Sequence, residues 1–166
     1  LGPILDECHR STGVTSGGVG LLGFEMGGQA ALRLAYRHPD KFPIAAAIAP
    51  AIDFHLGMRH GHDWADGELF DTLWEIFDEP EQARQETAIL HVHPLNWPRH
   101  QWLVSSSNDA RWHDGAVRLS SKLIALGIPH TAILDENTHE DLVSAFADDA
   151  ISFIMKSLDA EARRVS

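Results

Sequence analysis

The sequence predicts an α/β fold: a parallel sheet of about four strands with flanking helices and a helical insertion. Three observations carry this. Short apolar stretches alternate along the chain with longer stretches of helical period, the pattern of parallel strands joined by helical crossovers. Residues 44–48, Ile-Ala-Ala-Ala-Ile, are apolar without a break, as a strand buried on both faces is. Residues 19–36 read as strand, glycine turn and helix in direct succession.

Taken in order, residues 1–11 read as the end of a helix, with Ile4, Leu5 and Cys8 on one face. Ser16-Gly17-Gly18 is a loop, and 19–22 is the first strand. The glycines around Gly23-Phe24-Glu25-Met26-Gly27 let the chain turn tightly into a small-residue helix over 29–36. Ala31, Leu34 and Ala35 have core spacing there, and His38-Pro39-Asp40 stops the helix. The 44–48 strand ends at Ala49-Pro50. Residues 53–97 change in character, rich in histidine, aspartate and tryptophan, and read as a cap-like insertion within one domain spanning 1–166. Leu69, Leu73 and Phe77 predict a short amphipathic helix inside it, and 80–87 a helical turn. A third strand covers 101–105, followed by a loop through Asn108 and Asp109. Ala116, Leu119, Leu123 and Leu126 mark the next helix, which Gly127 ends. The fourth strand is 130–134, then a loop holding Asn137-Thr138-His139. The last helix buries Leu142, Phe146, Ala150, Phe153, Ile154 and Leu158, and Arg163-Arg164 suit the negative end of its dipole.

Composition narrows the function classes. At 166 residues and 44% hydrophobic content the chain has an ordinary globular core. A net charge of −11 argues against nucleic acid and against an anionic membrane surface as partner. The acidic residues are scattered, so they read as a solvated surface. No apolar run reaches the ~20 residues of a membrane span. The single cysteine, Cys8, cannot form an internal disulfide, and its expected place is an apolar helix face in a cytoplasmic protein.

Strand, glycine turn and small-residue helix are the context of the G-x-S-x-G nucleophile elbow, and Glu25 stands at its tip. With its flanks, Gly-Phe-Glu-Met-Gly-Gly-Gln-Ala-Ala-Leu-Arg-Leu-Ala, then His-Pro-Asp-Lys-Phe, then Ala-Pro, this segment resembles the α/β-hydrolase superfamily. The branch is the carboxylesterases of the S-formylglutathione hydrolase and feruloyl-esterase kind. Asn108-Asp109 through Gly127-Ile128-Pro129-His130 resembles the acid loop and following helix of that branch, and Thr138-His139 falls where it places its histidine. The resemblance runs from Val19 to Leu158 and covers the C-terminal half of the family fold. It implies a catalytic triad in the chain order Glu25, Asp109, His139, with the Met26 backbone N–H as one oxyanion donor, no metal and no cofactor. The family fold begins with further strands and a loop giving the second oxyanion donor. The strand before Glu25 is therefore expected at a sheet edge, which a longer polypeptide or a second chain would complete.

A serine hydrolase needs a hydroxyl whose proton passes to a neutral histidine. A carboxylate has no such proton near neutral pH, and it puts negative charge where the oxyanion should form. Glu25 and Asp109 would together hold His139 as imidazolium, so ordinary serine-esterase turnover on a small-molecule ester is not expected. Three readings follow: a binding or structural pseudo-hydrolase, a carboxylate nucleophile like that of the haloalkane dehalogenases and epoxide hydrolases, or a serine esterase altered at one codon. A flavodoxin-like binding module also fits four alternating strands, but the chain lacks a phosphate-binding G-x-G-x-x-G at a strand end.

Each candidate has a structural alternative. Asp109 also suits a turn that caps the next helix, with Asp114 as rival acid inside the first helical turn. His139 also suits a solvent-exposed loop. His55, His60, His62, His91 and His93 lack the tight spacing of a zinc site, so packing and hydrogen bonding are expected of them. Trp64, Trp74, Trp97, Trp102 and Trp112 are expected in core and cap packing, or as an apolar wall for a substrate group. Ser105, Ser106 and Ser107 could offer a substitute hydroxyl, but they sit at the end of the acid strand.

Overall fold

The computed structural model describes residues 19–60, 67–135 and 141–165, together with 3, 6, 7, 10, 11 and 13. Four parallel strands lie in the order β1 (Gly20–Phe24), β2 (Ile44–Ile48), β3 (His100–Ser106) and β4 (Thr131–Asp135). Helix α1 (Glu25–Arg37) crosses from β1 to β2. The connection from β2 to β3 holds α2 (Phe54–His60), α3 (Gly67–Ile76), α4 (Pro80–Gln85) and a 3-10 turn (Ala88–His91). Helix α5 (His113–Ala125) joins β3 to β4, and α6 (Leu142–Val165) follows β4. The first strand runs to Phe24 and the helix starts at Glu25, so the turn expected over 23–28 is compressed into one residue.

Alternation in the buried strands sorts the two faces. Ala45, Ala47 and Leu103 meet Leu32, Ala35 and Tyr36 of α1 and Ala116, Leu119 and Leu123 of α5. Ala46, Ile48, Trp102 and Val104 meet Leu142, Phe146, Ala150, Phe153 and Ile154 of α6. The alanines of β2 let α1 approach closely, and a Cβ on Gly20 would lie 2.7 Å from Ile154 Cγ2. Among the described residues strand β1 is paired on one side only, at the sheet edge, as expected. The insertion packs around Phe54, Met58, Phe70, Leu73 and Trp112. It is pinned to α1 by buried Gln29, whose amide donates to the Glu86 carbonyl (2.9 Å) and accepts from the Ala88 N–H (2.8 Å).

The tail of α6 is fastened by a charge cluster. Buried Glu161 takes two hydrogen bonds from Arg99 (2.8 and 2.5 Å) and lies 3.0 Å from His100 Nε2 at the start of β3. Its bonds to Arg99 first, then to His100, hold its carboxyl down to about 2. A depressed carboxylate stabilises the fold above its unfolded value near 4.5, and that contribution is lost as pH falls through the folded value. Solvent reaches Arg99, so the loss is on the order of 1 kcal/mol between pH 5 and 2. Urea midpoints measured across that window should fall more steeply for the parent chain than for Glu161→Gln; parallel curves would remove the clamp. Among the described residues no helix is long and apolar enough to cross a membrane.

Candidate active site at the elbow

Strand β1 passes into α1 without a loop. Phe24 is extended (φ −120°, ψ 141°) and Glu25 turns into the left-handed region (φ 46°). For a residue with a Cβ that conformation costs about 1–2 kcal/mol. Packing imposes it. A Cβ on Gly23 would lie 2.1 Å from the Gly27 carbonyl oxygen, and one on Gly28 3.1 Å from the Gly23 oxygen and 3.3 Å from Pro50 Cα. The Ala51 N–H donates to the Glu25 carbonyl (3.0 Å), bracing the turn from the end of β2. Gly27 has open space around its Cβ position, so the tight turn rests on Gly23 and the close helix packing on Gly28, not on all three glycines.

The register brings the strand ends together. Phe24 pairs with Ile48, Ile48 with Val104 and Val104 with Ile133, so the residues that follow gather at one end of the sheet, where open α/β sheets bind ligands. Ala49 is also left-handed (φ 47°), and its N–H donates to the Val104 carbonyl (2.8 Å). Beyond β3, the Asp109 N–H donates to the Ser106 carbonyl (3.0 Å), and Asp109 Oδ1 accepts from the N–H groups of Arg111 (3.0 Å) and Trp112 (3.4 Å). Asp109 thus does what the capping alternative expects while its side chain also faces a cleft; Asp114 is exposed in the first turn of α5. Asp141 caps α6 through the N–H groups of Val143 (3.1 Å) and Ser144 (3.2 Å), and bonds to Ser144 hold its carboxyl below the usual range.

Glu25, Ala49, Ser106, Asp109, Arg111 and Asp141 line this cleft, whose volume is about 490 Å³. Arg111 lies between the carboxylates, its Nη2 3.4 Å from Glu25 Oε1 and its Nε 3.7 Å from Asp109 Oδ1, with the guanidinium 5.6 Å from the centre of the Trp112 ring. The tip of the elbow therefore carries a half-exposed carboxylate facing a fixed cation. Such a site can hold polar groups and balance charge, and Glu25 has no hydroxyl to take up an acyl group.

Glu25 and Asp109, far apart in sequence, thus share one cleft. His139 lies outside the described residues, as do His62, Trp64 and Cys8. Asp141, Leu142 and Val143, which follow His139 closely in the chain, line the cleft. Met26 is the second residue of α1, partly buried against the insertion. Trp102 and Trp112 are core residues, and among the described residues no tryptophan lines the cleft. Ser106 does line it, its hydroxyl accepting from the Asn108 N–H (3.1 Å); Ser105 is fully buried. Arg111, Ala49 and Asp141 are the site residues that sequence patterns missed. The available signals were an arginine two places after the acid, and an Ala-Pro step closing a buried strand.

The family profile described as "Putative esterase" matches residues 1–144. The chain belongs to the Esterase family. Among solved structures this chain is similar to a ferulic acid esterase, at 12% identity with a TM-score of 0.62 over 92% of the chain and 56% of that protein. It is similar to fluorophosphonate-binding serine hydrolase F of Staphylococcus aureus at 15% identity, TM-score 0.61, over 94% of the chain and 61% of that protein. The Pyrococcus horikoshii acylaminoacyl peptidase gives 18% identity and a TM-score of 0.62 over 93% of the chain and 24% of the peptidase. These likenesses establish the α/β-hydrolase fold, and the chain spans part of each of these proteins. No curated protein matches the chain.

Proposed function

We propose that this esterase-family chain carries the elbow, acid and base positions of a carboxylic-ester hydrolase, with Glu25 where the nucleophile belongs. In this reading Asp109 is the acid, His139 the base and the Met26 N–H one oxyanion donor. What carries it is the left-handed Glu25 at the tip of β1–α1, facing a cleft that also holds Asp109. In a serine enzyme the hydroxyl at this tip attacks the ester carbonyl, its proton passes to the histidine, and the acid orients and stabilises the imidazolium. Glu25 supplies no proton, and its charge opposes the growing oxyanion. Arg111 offsets that charge without supplying a nucleophile, so the chain binds small ester-like molecules and turns them over poorly. The free edge of β1 is covered, on this reading, by polypeptide preceding residue 1 or by a second chain; the one-sided pairing of β1 and the partial span of the solved structures support this.

The test compares the parent chain with Glu25→Ala on a short-chain activated ester such as p-nitrophenyl acetate. Equal rates are expected, both near the uncatalysed background. Rapid hydrolysis by the parent that Glu25→Ala abolishes would instead make the carboxylate a nucleophile, which its exposure at the tip of the cleft allows.

A further inference from the structure

The chain has 13 lysines and arginines against 24 acidic residues, yet cationic groups from three elements gather away from the cleft. Helix α1 begins at the cleft and ends about 20 Å away. There Arg33 and Arg37, one turn apart on α1, lie within electrostatic reach of His91 at the end of the 3-10 turn, as does Lys122 in the last turn of α5. The arrangement is anchored. Arg33 pairs with Glu86, Lys122 Nζ donates to the Ile89 carbonyl (2.6 Å), and Gln29 fixes the chain between Glu86 and Ala88.

The negative ends of α1 and α5 account for Arg37 and Lys122, which lie in their last turns. They do not account for Arg33 and His91. Arg33 Nε and His91 Nε2 are buried without a hydrogen-bond partner among the described residues, while the His91 ring bonds the Gln85 carbonyl. Arg33 and Arg37 at i and i+4 repel each other in an isolated helix. Burial, then Arg33, Arg37 and Lys122, lower the proton affinity of His91. Burial, Lys41 and Arg37 do the same to His38 at the end of α1. Among the described residues Glu86 is the carboxylate that pairs with this group, so its three permanent cations, Arg33, Arg37 and Lys122, are set against one anion.

We propose that this face is a second binding site, separate from the elbow cleft, for a phosphate group, held by Arg33, Arg37 and Lys122 over the His91 ring. The excess of about two positive charges matches a dianion; a monocarboxylate would neutralise half of it. A bound dianion beside the ring favours the imidazolium, so binding raises the His91 titration midpoint.

The experiment follows the His91 ring proton by NMR while inorganic phosphate, glycerol phosphate or acetate is added at constant ionic strength. Saturable shifts at about 1–10 mM phosphate are expected, with a raised His91 midpoint and little response to acetate. Arg37→Gln and Lys122→Gln should each weaken phosphate binding by at least about 5-fold. Glycerol phosphate binding more tightly than phosphate assigns the site to a phosphate ester; equal affinity assigns it to the free ion, and both support the proposal. Equal shifts with acetate, or phosphate affinity unchanged in Arg37→Gln, would overturn it. Arg37 is exposed, so its replacement does not threaten the fold.

Discussion

Gly23→Ala is expected to destabilise the chain by at least about 3 kcal/mol, while Gly27→Ala, four residues away, leaves stability within about 1 kcal/mol of the parent. The two glycines look equivalent in the G-x-E-x-G pattern, but their surroundings differ. A methyl group on Gly23 would lie 2.1 Å from the Gly27 carbonyl oxygen and 2.6 Å from the Gly28 nitrogen. These are backbone atoms, so no side chain can move aside, and relief requires parting α1 from β1. That parting would also strain the Ala51–Glu25 hydrogen bond and the packing of Leu32 and Ala35 on the sheet. At Gly27 an added methyl meets nothing within 4 Å, and alanine is the better helix former there. Urea midpoints of the two variants decide the matter. A Gly23→Ala midpoint equal to that of the parent would mean that strand and helix do not meet in a one-residue turn.

With the second oxyanion donor present, Glu25→Ser should raise hydrolysis of a short-chain activated ester by at least about 100-fold over the parent. The left-handed tip would then present a hydroxyl in place of a charge. On the proposed triad, the Met26 N–H would face an oxyanion without a carboxylate beside it, and His139 would have one anionic neighbour fewer and be a better base. Arg111, released from Glu25, keeps Asp109 as its partner at 3.7 Å, so the acid side of the site stays charge-balanced. The gain should return close to background when Asp109→Asn or His139→Gln is added, since the triad acts as a unit. A gain that survives both second substitutions would come from a serine working alone and would remove the triad assignment. No gain in Glu25→Ser, with the second oxyanion donor present and the urea midpoint unchanged, would remove Glu25 from the nucleophile position.

Some of this protein is written in its local chemistry. The 44–48 run reads as a strand buried on both faces, and β2 is fully buried. The periodicities of α5 and α6 named most of the residues that pack them on opposite faces; Leu126, one of those expected, is exposed beyond the end of α5. The glycine pattern between an apolar strand and a small-residue helix marked the elbow, because the compact turn needs a residue without a Cβ at Gly23. Boundaries slipped by a residue or two because ladder pairing to the neighbouring strand sets them. Thus β3 gained His100 and Ser106, and β1 ran on to Phe24.

What local chemistry could not give is adjacency between residues distant in the chain. Parallel register alone aligns Phe24, Ile48, Val104 and Ile133, and so brings Glu25, Ala49 and Asp109 to one cleft. The guanidinium of Arg111 between two carboxylates has no sequence signature, since Glu25 is 86 residues away. The sequence by itself determined the four strands, the helices α1 and α3 to α6, and that Glu25 stands at the elbow, because those follow from periodicity and backbone sterics within a few residues; it did not mark α2 (Phe54–His60). Only the tertiary structure decided that Glu25 faces Arg111 and that Gly23, not Gly27, is indispensable, because charge pairing and steric contact depend on distances through space.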